Sequence, residues 1–338
     1  MNGAREVPGS VFVALVVFAI GIHCTVAQSS HAASGCEVVY RLTEKADYQE
    51  GCFPPCMCPI LFTDQIRGTF VMGPIQPGAQ FSSREVKFVN WIVTRGEEEF
   101  EIRGSGVYRF EDDFETGDHS LDLLLRIDGA GPKLFFSGWV PRSSSGGSID
   151  IPISINGQYC YDTVITVNAK PVENDSLLRY SLAADSTYQR SCTAPCNCPA
   201  ESPRGLQGSL VLTPILEYGT YVEYGVPWAD FSVPPLSDLE NEIGFRGYGT
   251  YTLIQGFAGP AHVFDLCLRE NNSQRGRYQN ELTNTDPTFP AEFQVVVEKQ
   301  DQTCIDTVLS IHAVRQESLI FEDGFECGDE NGWVASTR

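Results

Sequence analysis

In Phe100-Glu101-Ile102-Arg103-Gly104-Ser105-Gly106-Val107-Tyr108-Arg109-Phe110, every second residue is apolar or glycine and those between are mostly polar. A period of two puts one set on each face of an extended strand. Arg103 to Tyr108 has a counterpart in Arg246-Gly247-Tyr248-Gly249-Thr250-Tyr251. A strand pattern that returns with its glycines in place points to a larger repeat around it.

Toward the amino terminus, Tyr48-Gln49-Glu50-Gly51-Cys52 and Pro55-Cys56-Met57-Cys58-Pro59 match Tyr188-Gln189-Arg190-Ser191-Cys192 and Pro195-Cys196-Asn197-Cys198-Pro199. Gly68 and Pro74-Ile75 match Gly208 and Pro214-Ile215. Toward the carboxyl terminus, His119, Asp122 and Arg126 match His262, Asp265 and Arg269, and each copy closes on Cys-x-Asp-Thr-Val, from Cys160 and from Cys304. Matches in one order over this length predict two tandem homologous domains, 36–171 and 177–315. A polar linker, 172–176, joins them, and an acidic tail, 316–338, follows.

Alternation recurs at Leu121, Leu123, Leu125 and Ile127, and at Ile149, Ile151, Ile153 and Ile155. No sustained three-to-four spacing marks a helix. The expected fold class is all-β, each domain an antiparallel sandwich or barrel; the pattern leaves both open.

Residues 1–27 read as a signal peptide: Arg5, an apolar run from Val11 to Ile22 too short to span a bilayer, then small residues before Gln28. The mature chain is expected to be secreted, extracellular or periplasmic, with no membrane span. The net charge of −21 disfavours nucleic acid and anionic lipid as partners. The expected partner is an extracellular ligand or protein.

An exported chain keeps its cysteines oxidised. Cys52, Cys56, Cys58 and Cys160, and likewise Cys192, Cys196, Cys198 and Cys304, are therefore expected to form disulfides. A Cys56–Cys58 bond would close a very tight ring, which leaves one local bond and one long bond to Cys160. Zinc and redox readings fit the Cys-x-Cys spacing less well. Cys36, Cys267 and Cys327 stand outside the plan. Cys267 replaces Leu124 and shares a strand face with Asp265 and Arg269, so partial exposure is expected.

The chain has no Gly-x-Ser-x-Gly, no His-Glu-x-x-His and no phosphate loop. The best polar constellation is Arg103, His119, Asp122 and Arg126 with Arg246, His262, Asp265 and Arg269. It is either a ligand pocket present twice, or cross-strand charge pairs with the histidines in turns. Asp112, Asp113, Glu115 and Asp118 surround a glycine turn and are weak calcium candidates, calcium being the one cofactor the sequence hints at. Trp91, Trp139 and Trp228 are candidates for a sugar-stacking surface. Trp91 and Trp228 occupy similar places in the copies, which fits a core role.

Phe321-Glu322-Asp323-Gly324-Phe325-Glu326-Cys327-Gly328-Asp329, followed by Trp333, resembles the tail that ends many uncharacterised exported bacterial proteins. The tandem Pro-Cys-x-Cys-Pro domains resemble proteins of the same kind. The resemblance implies export and carries no activity. These features point to a non-enzymatic binding or structural protein. The alternatives are a calcium-assisted carbohydrate or protein binding module and an extracellular hydrolase using carboxylates.

Overall fold

The computed structural model describes residues 37–111, 117–142, 147–192, 196, 201–237, 240–256, 259–271, 273–284, 289–300 and 305–316. Residues 1–36, which include the expected signal peptide and Cys36, and Asp112, Asp113, Glu115, Cys198, Cys304 and residues 317–338 with Cys327 lie outside them, and of Cys192 only the backbone is described.

The first sheet opens with β1 Val38–Leu42, β2 Asp47–Cys52, β3 Leu61–Met72, β4 Ser82–Arg95 and β5 Glu98–Phe110. It continues with β6 Asp118–Ile127, β7 Lys133–Phe136, β8 Val140–Pro141, β9 Ile149–Ser154 and β10 Tyr161–Pro171. β1 and β2 lie end to end between β3 and β10. From β3 the sheet runs in chain order through β4, β5, β6 and β7 to β9, which pairs back onto β10. The ring is closed: an up-and-down antiparallel barrel of eight staves, with β1 and β2 sharing one.

The second sheet comprises β11 Leu178–Leu182, β12 Thr187–Cys192, β13 Arg204–Gly205, β14 Gln207–Tyr218, β15 Tyr221–Val233 and β16 Ile243–Gly256. It ends with β17 Gly259–Glu270, β18 Arg275–Gln279, β19 Thr283–Asn284, β20 Glu292–Lys299 and β21 Ile305–Arg315. β11 and β12 share one stave, which pairs with β21 on one side and with β14 and β13 on the other. This ring also closes, through the β18–β20 pairing. Among the described residues one 3-10 turn, Asn174–Ser176, falls in the linker. Pairing thus decides for the barrel, which periodicity left open. Alternation tells which side chains turn inward, but not that the first and last staves meet.

Inward positions fill each barrel. Phe70, Trp91, Ile102, Leu123, Leu125, Phe135, Ile151 and Ile165 belong to one continuous core. Phe231, Phe245, Tyr251, Phe264, Leu266, Phe293 and Ile311 belong to the other. Each such side chain contributes roughly 1.5–3 kcal/mol by leaving water. The registers correspond: Gly68 faces Trp91, and Gly208 faces Phe231. Trp91 is therefore matched by Phe231, and Trp228 by Phe88. The expected Trp91–Trp228 equivalence fails because the two tryptophans stand at different distances from the matched glycines Gly68 and Gly208.

Those bulges explain the paired glycines. Gly106 and Gly104 face Val86 and Val89 across a bulge in β4, just as Gly249 and Gly247 face Val226 and Ala229 across one in β15. A Cβ on Gly106 or Gly249 would run into the carbonyl oxygen of Asp122 or Asp265 on the next strand. Glycine there permits a backbone approach that no side chain allows.

Cys52 is bonded to Cys58, and Cys56 to Cys160. The long bond ties the loop after β2 to the start of β10, at the seam that closes the barrel. Cys196 is disulfide-bonded as well. Cys267 is a free thiol and is buried, against the expected partial exposure; the first barrel covers the face that carries it.

Candidate functional site

The repeated polar residues do not meet in one pocket. Asp122 takes Arg109 across the β5–β6 pair on the outer wall, while Arg126 and Arg269 are exposed. Arg246 is exposed and pairs with Asp230. Arg103 and Asp265 are turned toward each other from different barrels. Neither histidine sits in a turn. His119 lies in β6 and His262 in β17, both buried, Nδ1 hydrogen bonded to the hydroxyl of Tyr108 at 2.9 Å and of Tyr251 at 3.2 Å. Burial lowers both pKa values to about 4, and the nearby Arg142 adds to the effect at His119. Both rings are neutral at physiological pH.

The outward residues of β3, β4 and β5 meet those of β14 to β18, and the shared face is polar. Arg67 Nε donates to Glu223 at 2.6 Å and Arg67 Nη2 to Glu99 at 2.8 Å. Asn90 Nδ2 donates to the carbonyl of Gly249 at 2.9 Å. Glu101 and Arg103 of the first barrel alternate with Asp265 and Arg277 of the second in a four-charge network. The bulged Phe88 lies 5.5 Å from the ring of Tyr248. Cys267 is part of this face, opposite Tyr248 and Arg277 in the sheet. Burial raises the pKa of Glu223 and of Glu101, opposed in part by their arginines. In sequence these residues looked like an ordinary polar strand face, so the interface was missed.

The barrel rims form the second feature. In the first barrel, Tyr40, Met72, Arg84, Tyr108, Phe110, Arg142, Gly147 and Ser148 line an open depression of about 330 Å³, counting the solvent at its opening. Tyr40 donates to the carbonyl of Gly147 at 3.0 Å, and Arg84 Nε to that of Gly73 at 2.7 Å. Arg142 donates to the Tyr108 hydroxyl at 3.3 Å and lies over the Phe110 ring at 5.5 Å. In the second barrel Tyr180 donates to the carbonyl of Pro290 at 2.9 Å. Tyr224, opposite Tyr251, stands where Arg84 stands opposite Tyr108. Phe289 packs on both, at 5.4 and 5.3 Å.

Trp91 is fully buried in the core and Trp228 half-buried, whereas Trp139 is 46% exposed with the Phe81 ring 5.5 Å away. Of the calcium candidates only Asp118 is described. Among the described residues, no group of three or more His, Cys, Asp or Glu is placed to hold a metal ion. No helix of the described residues is long and apolar enough to cross a membrane. Compared with protein-family models, curated proteins and solved structures, the chain matches none.

Proposed function

We propose that this chain is an exported, non-enzymatic protein in which two duplicated β-barrels form one disulfide-tied binding or structural unit. The observation that carries the reading is the partly buried ionic face joining two filled barrels, Arg67 with Glu223 and Glu101–Arg103–Asp265–Arg277. A filled interior and an ion-paired contact favour a rigid body whose work is done on its outer walls and rims. Apolar residues turned inward are the reverse of a barrel whose wall faces lipid. The reading of residues 1–27, the exported-type tail and the cysteine framework support export.

The Trp139–Phe81 pair favours a second reading, an aromatic platform on which a sugar ring stacks. The two readings share one experiment. The mature chain is assayed with ester, peptide and glycoside substrates and melted with and without reductant, calcium and EDTA. The expected result is no turnover, a large drop in Tm on reduction and no response to calcium. Turnover abolished by a single carboxylate-to-amide change, with folding intact, would replace the proposal by a hydrolase. A Tm raised by calcium would bring the acidic loop forward instead.

A further inference from the structure

We propose that the outer wall of β6 and β7, centred on Leu124, is a two-fold interface on which a second copy of this chain docks. Docking of this kind goes beyond the binding reading and holds whether or not the chain turns over a substrate.

A strand with one face in water alternates, but Leu123-Leu124-Leu125 in β6 and Leu134-Phe135-Phe136 in β7 are each apolar three times running. Leu123, Leu125 and Phe135 turn inward and belong to the core. Leu124 is paired with Leu134, and Asp122 with Phe136, so these four turn outward together. Leu124, Leu134 and Phe136 are exposed. Apolar residues on both faces of a strand suit a wall that is covered on both sides.

The second barrel has this wall covered. Its equivalent run is Leu266-Cys267-Leu268 in β17, with Cys267 where Leu124 stands. Cys267 and Asp265 are buried, because Phe88, Glu101 and Arg103 of the first barrel lie over that wall. The duplicated fold thus already docks one barrel on this surface. In the first barrel the same surface continues from the contact between the barrels: Ser105, beside Leu124, lies two residues along β5 from Arg103.

The occupants differ in chemistry. The second barrel offers Asp265 and Arg277 to a charged face, whereas the first has Leu134 and Phe136 at the positions of Arg277 and Gln279. Charged groups laid on these leucines and this phenylalanine would lose water and gain no partner. An apolar wall is matched by a second apolar wall.

Charge placement selects the two-fold arrangement. Asp122 and Arg126 flank Leu124 on the same outward face, two residues away on either side. An axis through Leu124 sets Arg126 of each copy against Asp122 of the other, where Arg109 already pairs with Asp122. An apolar centre with a charged rim is the ordinary anatomy of a protein contact, and two-fold pairs are the commonest assemblies. The patch is small, so a reversible dimer with a Kd on the order of micromolar is expected.

Sedimentation equilibrium of the mature chain, from about 1 to 100 μM, tests the interface. Reversible doubling of the mass is expected, with Kd raised roughly tenfold or more by Leu124→Glu and by Phe136→Ser. Both positions are exposed, and a parent-like far-UV spectrum shows that the variants fold. Arg246→Gln, on the outer wall of the second barrel, is expected to dimerise like the parent. Leu124→Cys adds a geometric readout, because the two copies of position 124 face each other across the axis. A short bis-maleimide should link that variant far more than the parent. Dimers that leave position 124 unlinked, or that persist in both the glutamate and the serine variants, overturn the interface. Open-ended oligomers overturn it too, since they require a head-to-tail contact. A chain monomeric throughout also overturns it, and slow maleimide labelling of Leu124→Cys then assigns the wall to a segment of the same chain. Turnover of a substrate removes the non-enzymatic reading and leaves the interface standing; a monomer without turnover does the reverse.

Discussion

The two barrels have the same inside and different outsides. Their interiors share the buried Tyr–His pairs, Tyr108 with His119 and Tyr251 with His262, and the glycines that let β5 and β16 press against the next strand. Their rims and walls diverge. Arg84 at one rim is matched by Tyr224 at the other, where Phe289 packs on it, and Leu124, 51% exposed, is matched by the buried Cys267. Interior residues are held by packing against many neighbours at once, so few substitutions survive. Rim and wall residues answer only to what docks on them.

The largest expected effect tests how far the barrels stand or fall together. Replacing Cys56 and Cys160 by serine opens a loop of sequence separation 104. The loop-entropy model gives a loss of about 4–5 kcal/mol. The damage lies in the first barrel, yet the buried ionic face should transmit it. Calorimetry is expected to show one transition, shifted down, and two separate transitions would mean that the face does not couple the barrels.

Arg67 supplies the complementary cut. Its position in the second barrel is taken by the exposed Gln207, so one stave carries a buried ion pair and the other nothing comparable. Arg67→Met strands Glu223, whose side chain is only 4% exposed. Removing one partner of a buried pair costs roughly 3 kcal/mol or more. The expected signature is a split melt, with Cys267 becoming reactive toward a maleimide before the global transition. A Cys267 that reacts equally fast in the parent would contradict its burial beneath the first barrel.

How much of this was legible in the sequence follows from what periodicity encodes. The inward residues of β5, β6 and β9 announce themselves by alternation, and the one local and one long disulfide of the first barrel follow from cysteine spacing. Barrel closure was hidden, because Tyr161 pairing with Cys52 joins residues far apart in sequence. The interface was hidden for another reason. Glu101, Arg103, Asp265 and Arg277 are charged residues on strand faces, and charge ordinarily marks a face as solvated. Only the second barrel turns that face into a buried one. The two rims were illegible as well, since Arg84 and Arg142 belong to no repeated motif.

Acid separates the barrels by a smaller amount. Each buried histidine has a folded pKa near 4, below the unfolded value near 6.5. The stability it contributes is complete above about pH 6.5 and is lost as pH falls toward 4, about 2 kcal/mol each at pH 5. Glu101 and Glu223 work the other way: their pKa values are raised, so the fold gains from their protonation as pH falls toward 4.5. Urea melts of His119→Gln and His262→Gln should each lose part of the acid sensitivity. Arg142→Gln should soften the His119 part alone, because only that histidine has an arginine beside it. An equal effect of Arg142→Gln in the His262→Gln and His119→Gln backgrounds would refute this.

The smallest effect makes the comparison sharpest, because the residue type is the same on both sides. Arg103 and Arg246 occupy matching positions, each directly before the first glycine of its Gly-x-Gly pair, and the sheet pairs them with Arg126 and Arg269 in the same way. Arg103 is largely buried in the network with Glu101 and Asp265, while the Arg246 side chain is 78% exposed beside Asp230. An exposed pair is screened by water and salt, and holding two long side chains in register costs entropy. Arg246→Ala should therefore change stability by less than about 0.5 kcal/mol. Arg103→Ala, by contrast, leaves buried Asp265 and Glu101 to share Arg277 alone. Equal losses from the two substitutions, measured in the same denaturant series, would mean that the wall of the second barrel bearing Arg246 is also covered in solution, by a partner that the isolated fold does not include.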